Sequence, residues 1–294
     1  MTDKKKLDIN SSPLGQKTSY ADSYDPQLLF AIERQSKRLE LGVESDLPFH
    51  GEDIWNAYEL SWLNPNGLPQ VAVAEIRFVA TSPIIVESKS FKLYLNSFNQ
   101  THFNSMDAIS ECIQKDLSQL TQSQVVVKLF QLSDVDSYMI NHWQAICLEQ
   151  QAKAKHLKID GYQYQPELLQ LDCQILDWAE IDSQNQTRVS ETLCSHLLKS
   201  NCLITHQPDW ASLYIQYKGQ AINHQSLLAY IVSFRDHNEF HEQCVERIFV
   251  DIMQRCQPQE LTVYARYTRR GGLDINPWRS NHLDSMGNCR LIRQ

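Results

Sequence analysis

Two strand-like runs, residues 54–63 and 70–79, flank Asn64-Pro65-Asn66-Gly67, whose Pro, Asn and Gly supply the dihedrals that a tight turn demands. This pattern predicts a hairpin. Between residues 107 and 120 the apolar positions Ala108, Ile109, Cys112, Ile113, Leu117 and Leu120 recur at helical spacing, and residues 124–132 then read as a strand. The second half repeats the grammar: residues 211–217 read as a strand, Val245, Ile248, Phe249, Ile252 and Met253 mark one face of a helix, and residues 261–267 alternate like a strand. Leu95-Asn96-Ser97-Phe98 and Ile231-Val232-Ser233-Phe234 each precede an amphipathic helix and then a strand, which marks the halves as related. Two α+β modules of hairpin, helices and further strands are the economical architecture.

Residues 1–25, polar and rich in Ser, Lys, Asp and Tyr, read as a loosely held arm before Leu28-Leu29-Phe30 engages a core. The boundary between modules is placed where Gln150-Gln151-Ala152-Lys153-Ala154-Lys155 gives way to Asp160-Gly161, so that the modules span residues 26–160 and 161–294. A length of 294 residues suits about two domains. The hydrophobic share of 42% and charged share of 21% are those of a chain that folds.

A formal charge of -8 and a pI near 5.7 argue against a protein built to grip phosphodiester backbone, which needs clustered Lys and Arg, and favour a small-molecule substrate over nucleic acid. The polar first ten residues with Lys4-Lys5-Lys6 predict no signal peptide. Glu75, Arg77 and Lys128 interrupt the most apolar segments well short of the ~18 apolar residues of a membrane helix. A cytoplasmic protein without membrane attachment is expected. The eight cysteines, at 112, 147, 173, 194, 202, 244, 256 and 289, include no CxxC pair and read as reduced thiols, most of them small buried hydrophobes.

With nine glycines and no G-x-G-x-x-G or P-loop, the chain offers no Rossmann or Walker site. Its densest basic segment, Arg266-Tyr267-Thr268-Arg269-Arg270-Gly271-Gly272, places guanidinium forks beside flexible backbone that can approach a phosphate, although a solvated strand end has the same composition. His237, His241 and Cys244, at i, i+4 and i+7, suit zinc only if a fourth ligand comes from elsewhere, and no metal is expected. A Glu and a His beside Phe240 fit a heterocyclic base, with helix capping by surface charges as the ordinary alternative. Glu87, Ser88, Lys89 and Ser90 follow the apolar Ile84-Ile85 at a strand end, where a solvated turn would look alike. Cys202 lies in a loop-like stretch ending in a Pro208-Asp209 turn, where a nucleophile would be exposed; a buried inert thiol is the commoner fate of a lone Cys.

Taken together, Glu87-Ser88-Lys89-Ser90-Phe91-Lys92-Leu93-Tyr94, Cys202-Leu203-Ile204-Thr205-His206-Gln207-Pro208-Asp209, Phe240-His241-Glu242 and Thr268-Arg269-Arg270-Gly271-Gly272 resemble the nitrile reductase family QueF in its long, two-module form. The resemblance runs from Leu14-Gly15 to Pro277-Trp278-Arg279. It implies the tunnelling fold (T-fold), two tandem ββααββ modules with bases bound at module interfaces, and a homodimer. It also implies an NADPH-dependent reduction of the nitrile of 7-cyano-7-deazaguanine to an amine, on the route to queuosine in tRNA. By matching motifs, Cys202 would form a thioimide with the nitrile carbon and Asp209 would protonate the nitrogen. Val86, Glu87, Ser88, His241 and Glu242 would hold the base, and Ser88, Lys89, Arg270 and Gly271 the NADPH. A thiol-dependent nitrile hydrolase and a non-catalytic purine or pterin binder of the same fold are the alternatives.

Overall fold

The computed structural model describes residues 21, 23–133, 140–159, 161–172, 180–181 and 187–294. Nearly all of the arm, Cys173 and Asp160 at the expected boundary lie outside the described residues. The chain divides into two units, each described by itself: Met1–Ser45, Glu52–Met139 and Arg269–Ile275 form the first, and Asp46–Gly51, Ile140–Thr268 and Asn276–Gln294 the second.

In the first unit come β1 (Ala31–Glu33), α1 (Gln35–Glu40), β2 (His50–Leu63), whose first two residues belong to the other unit, β3 (Pro69–Val79), β4 (Ile84–Val86), α2 (Ser88–Asn96), α3 (Met106–Thr121) and β5 (Val125–Phe130). Strands β2 and β3 form the predicted hairpin, with Leu63 opposite Pro69 and a register shift between Ala57 and Leu60; β5 pairs on the other side of β3. At the hairpin tip Asn64 Oδ1 accepts from the N–H groups of Asn66 and Leu68, an Asx turn of the kind the sequence implies. Ser105 caps α3 through Ala108 N–H, and the helix buries Ile109, Ile113 and Leu117, the stripe its spacing predicts. These side chains join a core with Trp55, Ile76, Phe91, Tyr94 and Phe98.

The second unit contains β6 (Ile140–Asn141), β7 (Ile146–Cys147), β8 (Glu180–Ile181), β9 (Thr187–Asn201), β10 (Pro208–Gln220), α4 (His224–Ser233), α5 (His241–Cys256), β11 (Glu260–Tyr267), β12 (Leu273–Ser280), whose first residues belong to the other unit, and β13 (Arg290–Leu291). Its strands run in the order β12-β11-β10-β9-β7, with β8 also on β9. Helix α5 packs on β10 and β11 and buries Val245, Ile248, Phe249 and Ile252 completely. Among the described residues no helix is long and apolar enough to cross a membrane.

The internal repeat extends to single atoms. Tyr24 and Tyr94 both donate to Asp116 Oδ2, each at 2.6 Å, while Tyr164 and Tyr230 donate to Asp251 Oδ2 at 2.7 and 2.5 Å. Ser97 Oγ bonds the Tyr94 carbonyl and Ser233 Oγ the Tyr230 carbonyl, so the two matched tetrapeptides close α2 and α4 in the same way. Helices α3 and α5 both end on a glutamine in the left-handed region, Gln122 at φ 55° and Gln257 at φ 49°. Burial, reinforced by the neighbouring carboxylate, pushes the hydroxyls of Tyr94 and Tyr230 far up, so each remains a donor.

Candidate functional site

Cys202 lies at the neck of the β9–β10 hairpin. Strand β9 runs to Asn201, which pairs with Pro208, and the next pair is Ser200 with Asp209. The loop of residues 202–207 is closed by Cys202 N–H to the Gln207 carbonyl at 2.8 Å and by His206 N–H, with φ 54°, to the Cys202 carbonyl at 3.0 Å. This corrects one sequence expectation. Pro208 and Asp209 begin a strand instead of ending a turn, because a strand's first residue needs no ladder N–H. Of the two readings of Cys202, exposed loop nucleophile and buried thiol, the structure has the buried one, with the residue 5% exposed.

Next to Asn201 runs the segment 237–239: Asn201 N–H donates to the His237 carbonyl at 2.8 Å, and Glu239 N–H returns to the Asn201 carbonyl at 3.0 Å. Glu239 takes a two-point fork from Arg247, 2.9 and 2.7 Å, and its Oε2 lies 3.0 Å from His237 Nε2. Burial alone would push the Glu239 carboxyl up, but His237 and the Arg247 guanidinium outweigh it and hold the group below its ordinary range. Helix α5 then opens on His241 and Glu242. His241 Nε2 is 3.5 Å from Asp209 Oδ1, and its ring lies 4.0 Å, centroid to centroid, from Tyr267. Asp209 and Glu242 are both buried. The acidic groups of this segment are therefore not the surface charges of an ordinary cap.

The zinc reading of His237, His241 and Cys244 is not borne out by geometry. His237 is turned to Glu239 and His241 lies by Asp209, while Cys244 is fully buried with its thiol pushed up to about 12 by desolvation and by Glu239. Sequence reasoning also missed Tyr267 and the Glu239–Arg247 fork. The only sequence signal for the fork is the i, i+8 spacing of an acid before a helix and a base inside it.

In the first unit, Val86 ends β4 opposite Ala31, and Glu87 is the cap of α2. Its Oε1 accepts from Lys89 N–H at 2.9 Å and its Oε2 from Ser90 N–H at 2.7 Å, while Ser90 Oγ donates to the Glu87 carbonyl at 2.7 Å and accepts from Phe30 N–H at 3.0 Å. The segment that a solvated turn would also explain is thus a helix start whose carboxylate is 1% exposed. Burial pushes the Glu87 carboxyl up, against those two N–H groups and the charges of Lys89 and Arg270.

Arg270 and Gly271 also belong to this unit. Arg270 N–H bonds the Leu273 carbonyl at 2.8 Å, Gly271 has φ 60° and Gly272 φ 76°. A Cβ on Gly271 would come within 2.8 Å of Lys92 Nζ, so bare backbone faces a cation there. Arg269 lies over the Tyr58 ring at 4.1 Å. Arg266, by contrast, is buried and committed to Gln294, Tyr264 and Asn288, so the basic segment divides into a structural half and an accessible half.

These features define an α+β protein with a buried cysteine and a buried aspartate at the neck of one hairpin. Residues 20–129 match the family described as nitrile reductase, 7-cyano-7-deazaguanine-reductase N-term, and residues 208–285 match QueF-like protein. The chain belongs to the QueF nitrile reductase family. Both matched stretches contain candidate residues: Val86, Glu87, Ser88 and Lys89 in one, Asp209, His241, Glu242, Arg270 and Gly271 in the other; Cys202 lies six residues before the second. Among solved structures, an archaeosine synthase QueF-Like in the apo form is similar at 14% identity over 33% of this chain and 95% of that one, with a TM-score of 0.29, too slight a likeness to bear on the chemistry.

Proposed function

We propose that this chain is an NADPH-dependent reductase that converts the nitrile of 7-cyano-7-deazaguanine to the aminomethyl group, with Cys202 as covalent nucleophile. The observation that carries the reading is the family match in both units together with Cys202 and Asp209 standing two residues apart in register at the β9–β10 neck, with the Asn201–Pro208 pair between them. The order of a hairpin, two helices and a following strand in each unit agrees with a T-fold, and we read the protein as a cytoplasmic homodimer.

A nitrile is a weak electrophile, so addition of sulfur must be coupled to protonation of the nitrogen. Cys202 sulfur bonds to the nitrile carbon while Asp209 delivers a proton to nitrogen, giving a thioimide. NADPH, when bound, supplies hydride. One hydride and one proton would reduce the thioimide, the C–S bond would break to return the Cys202 thiolate and a protonated imine, and a second hydride would convert that imine to the primary amine. Val86, Glu87, Ser88, His241 and Glu242 hold the base, its N–H groups meeting carboxylate oxygens. Ser88, Lys89, Arg270 and Gly271 hold the cofactor. The side-chain-free backbone at Gly271 beside Lys92, with Arg270 next to it, has the donor chemistry a phosphate requires.

The deciding experiment mixes the protein with 7-cyano-7-deazaguanine and NADPH and follows both NADPH and product. Two NADPH consumed per amine formed supports the reading. Ammonia and carboxylate without NADPH consumption would make it a hydrolase, and tight binding of base without turnover would make it a binder.

A further inference from the structure

The side chains of Cys147, Cys194 and His196, none of which the reductase chemistry uses, bring their sulfur and nitrogen atoms within 4.8 Å of one another, the one such group among the described residues. From this convergence we propose that the second unit carries a zinc site made by these three residues, its fourth position opening into the adjoining cavity.

Three features of the fold build the group. Strand β7 is only two residues long, and it lies parallel to β9 with Cys147 directly opposite Cys194. Side chains directly across a strand pair are held within a few ångströms of each other, so the two thiols meet by register rather than by loop accident. The third residue comes from an irregularity in β9. Leu213 pairs with Ser195 and Ala211 with Leu198, so His196 and Leu197 together face Ser212; such a bulge re-aims a side chain that regular pleating would place otherwise. Ser212 Oγ lies 2.8 Å from His196 Nδ1, which leaves Nε2 as the nitrogen to offer a metal. The backbone of His196 is gripped on both sides, its N–H by Glu149 Oε1 and its carbonyl by Arg293 Nη1, each at 2.7 Å.

The donor set and the spacing select the ion. Two thiolates and an imidazole are the ligands of tetrahedral zinc, whose bonds of about 2.3 Å to sulfur and about 2.0–2.1 Å to nitrogen put ligand atoms roughly 3.5–3.8 Å apart. Atoms already within 4.8 Å need only side-chain rotation to reach that spacing. All three line a cavity of about 600 Å³ together with Trp143, Ser212 and Arg293. Glu149, two residues from Cys147, is hydrogen-bonded to the Cys147 thiol and through Oε1 to His196 N–H, so its carboxylate ties two of the three ligands to one corner. Bound there, the ion would staple the short β7 segment to the edge of β9.

The test uses full-length protein, freed of metal with a chelator under reducing conditions and titrated with Co²⁺ and then Zn²⁺. The expected result is one Co²⁺ per chain with a sulfur-to-cobalt charge-transfer band and strong tetrahedral visible bands, displaced by one Zn²⁺. Cys147→Ala and His196→Ala should abolish the stoichiometric signal, and Cys202→Ala should retain it in full. Ser212→Ala, which removes only the orienting hydroxyl, should weaken Zn²⁺ binding by about 10–100-fold. Circular dichroism of each variant separates loss of the site from loss of the fold, and His196, being exposed, is the substitution the fold tolerates best. No thiolate band, a band lost in Cys202→Ala but kept in His196→Ala, or oxidation of Cys147 and Cys194 to a disulfide at the same rate with and without Zn²⁺ would each overturn the proposal. None of these readouts depends on nitrile reduction.

Discussion

Arg247 grips Glu239 at two points, Nε to Oε2 at 2.9 Å and Nη2 to Oε1 at 2.7 Å, and Glu239 in turn bonds the backbone of Asn201, the residue before Cys202. The fork is thus the brace of the hairpin neck. Glu239→Gln removes the charge from one side of this buried ion pair and should cost about 3 kcal/mol of stability at neutral pH, measured by urea unfolding. The pH dependence has a definite sign. Because the Glu239 carboxyl is held below its ordinary range, its contribution is present above the ordinary carboxylate value and is lost as pH falls through the lowered one. The gap between wild type and Glu239→Gln should therefore narrow in acid; a constant gap would mean the fork contributes shape alone.

For Glu87 the sign is opposite. Its carboxyl is pushed up by burial, so the folded chain binds that proton more tightly than the unfolded chain does. Stability from this group is full below the ordinary carboxylate value, 4.5, and declines as pH climbs toward the raised one. Glu87→Gln cannot titrate, so its stability relative to wild type should improve on raising pH through that window. Parallel denaturation curves from acid to neutral pH would check this, and a relative loss on raising pH would mean that the Lys89 and Ser90 N–H groups win over burial.

Wild-type protein mixed with 7-cyano-7-deazaguanine and no NADPH should gain the mass of one intact substrate molecule, since addition to a C≡N bond expels no leaving group. Cys202→Ala should gain nothing and still bind the base. Asp209→Asn keeps the shape and removes the acid, so adduct formation should slow by ~10²–10⁴-fold. If Cys202→Ala still oxidises NADPH at near the wild-type rate, hydride attacks the nitrile directly.

Glu242→Gln should weaken binding of the base by about 1.5–3 kcal/mol, the worth of a charge-assisted hydrogen bond. Unchanged affinity by calorimetry would remove Glu242 from the site.

Arg270→Ala should raise the KM for NADPH while leaving the Kd of the cyano base nearly unchanged, because a guanidinium beside bare glycine backbone suits phosphate and not a heterocycle. Equal effects on both ligands would indicate damage to the loop as a whole.

The sequence by itself determined the elements that a local pattern fixes. The Asn64 turn, the helical stripe of Ile109, Ile113 and Leu117 and the α5 face are periodicities of one segment, and they appear in the structure within a few residues of where the pattern puts them. It also carried the family, because the motifs around Glu87, Cys202, His241 and Arg270 are short strings of distinctive chemistry. What only the tertiary structure decided is which residues meet and how deeply they sit. Whether Glu87 caps a helix or decorates a turn depends on burial by partners distant in the chain, such as Phe30 N–H on Ser90. That Cys202 is buried, that Arg266 and Arg270 part company within five residues, and that Cys147 meets Cys194 and His196 all follow from strand register. Register is set by pairing between segments far apart in the chain, so it leaves no trace in the spacing of any one of them.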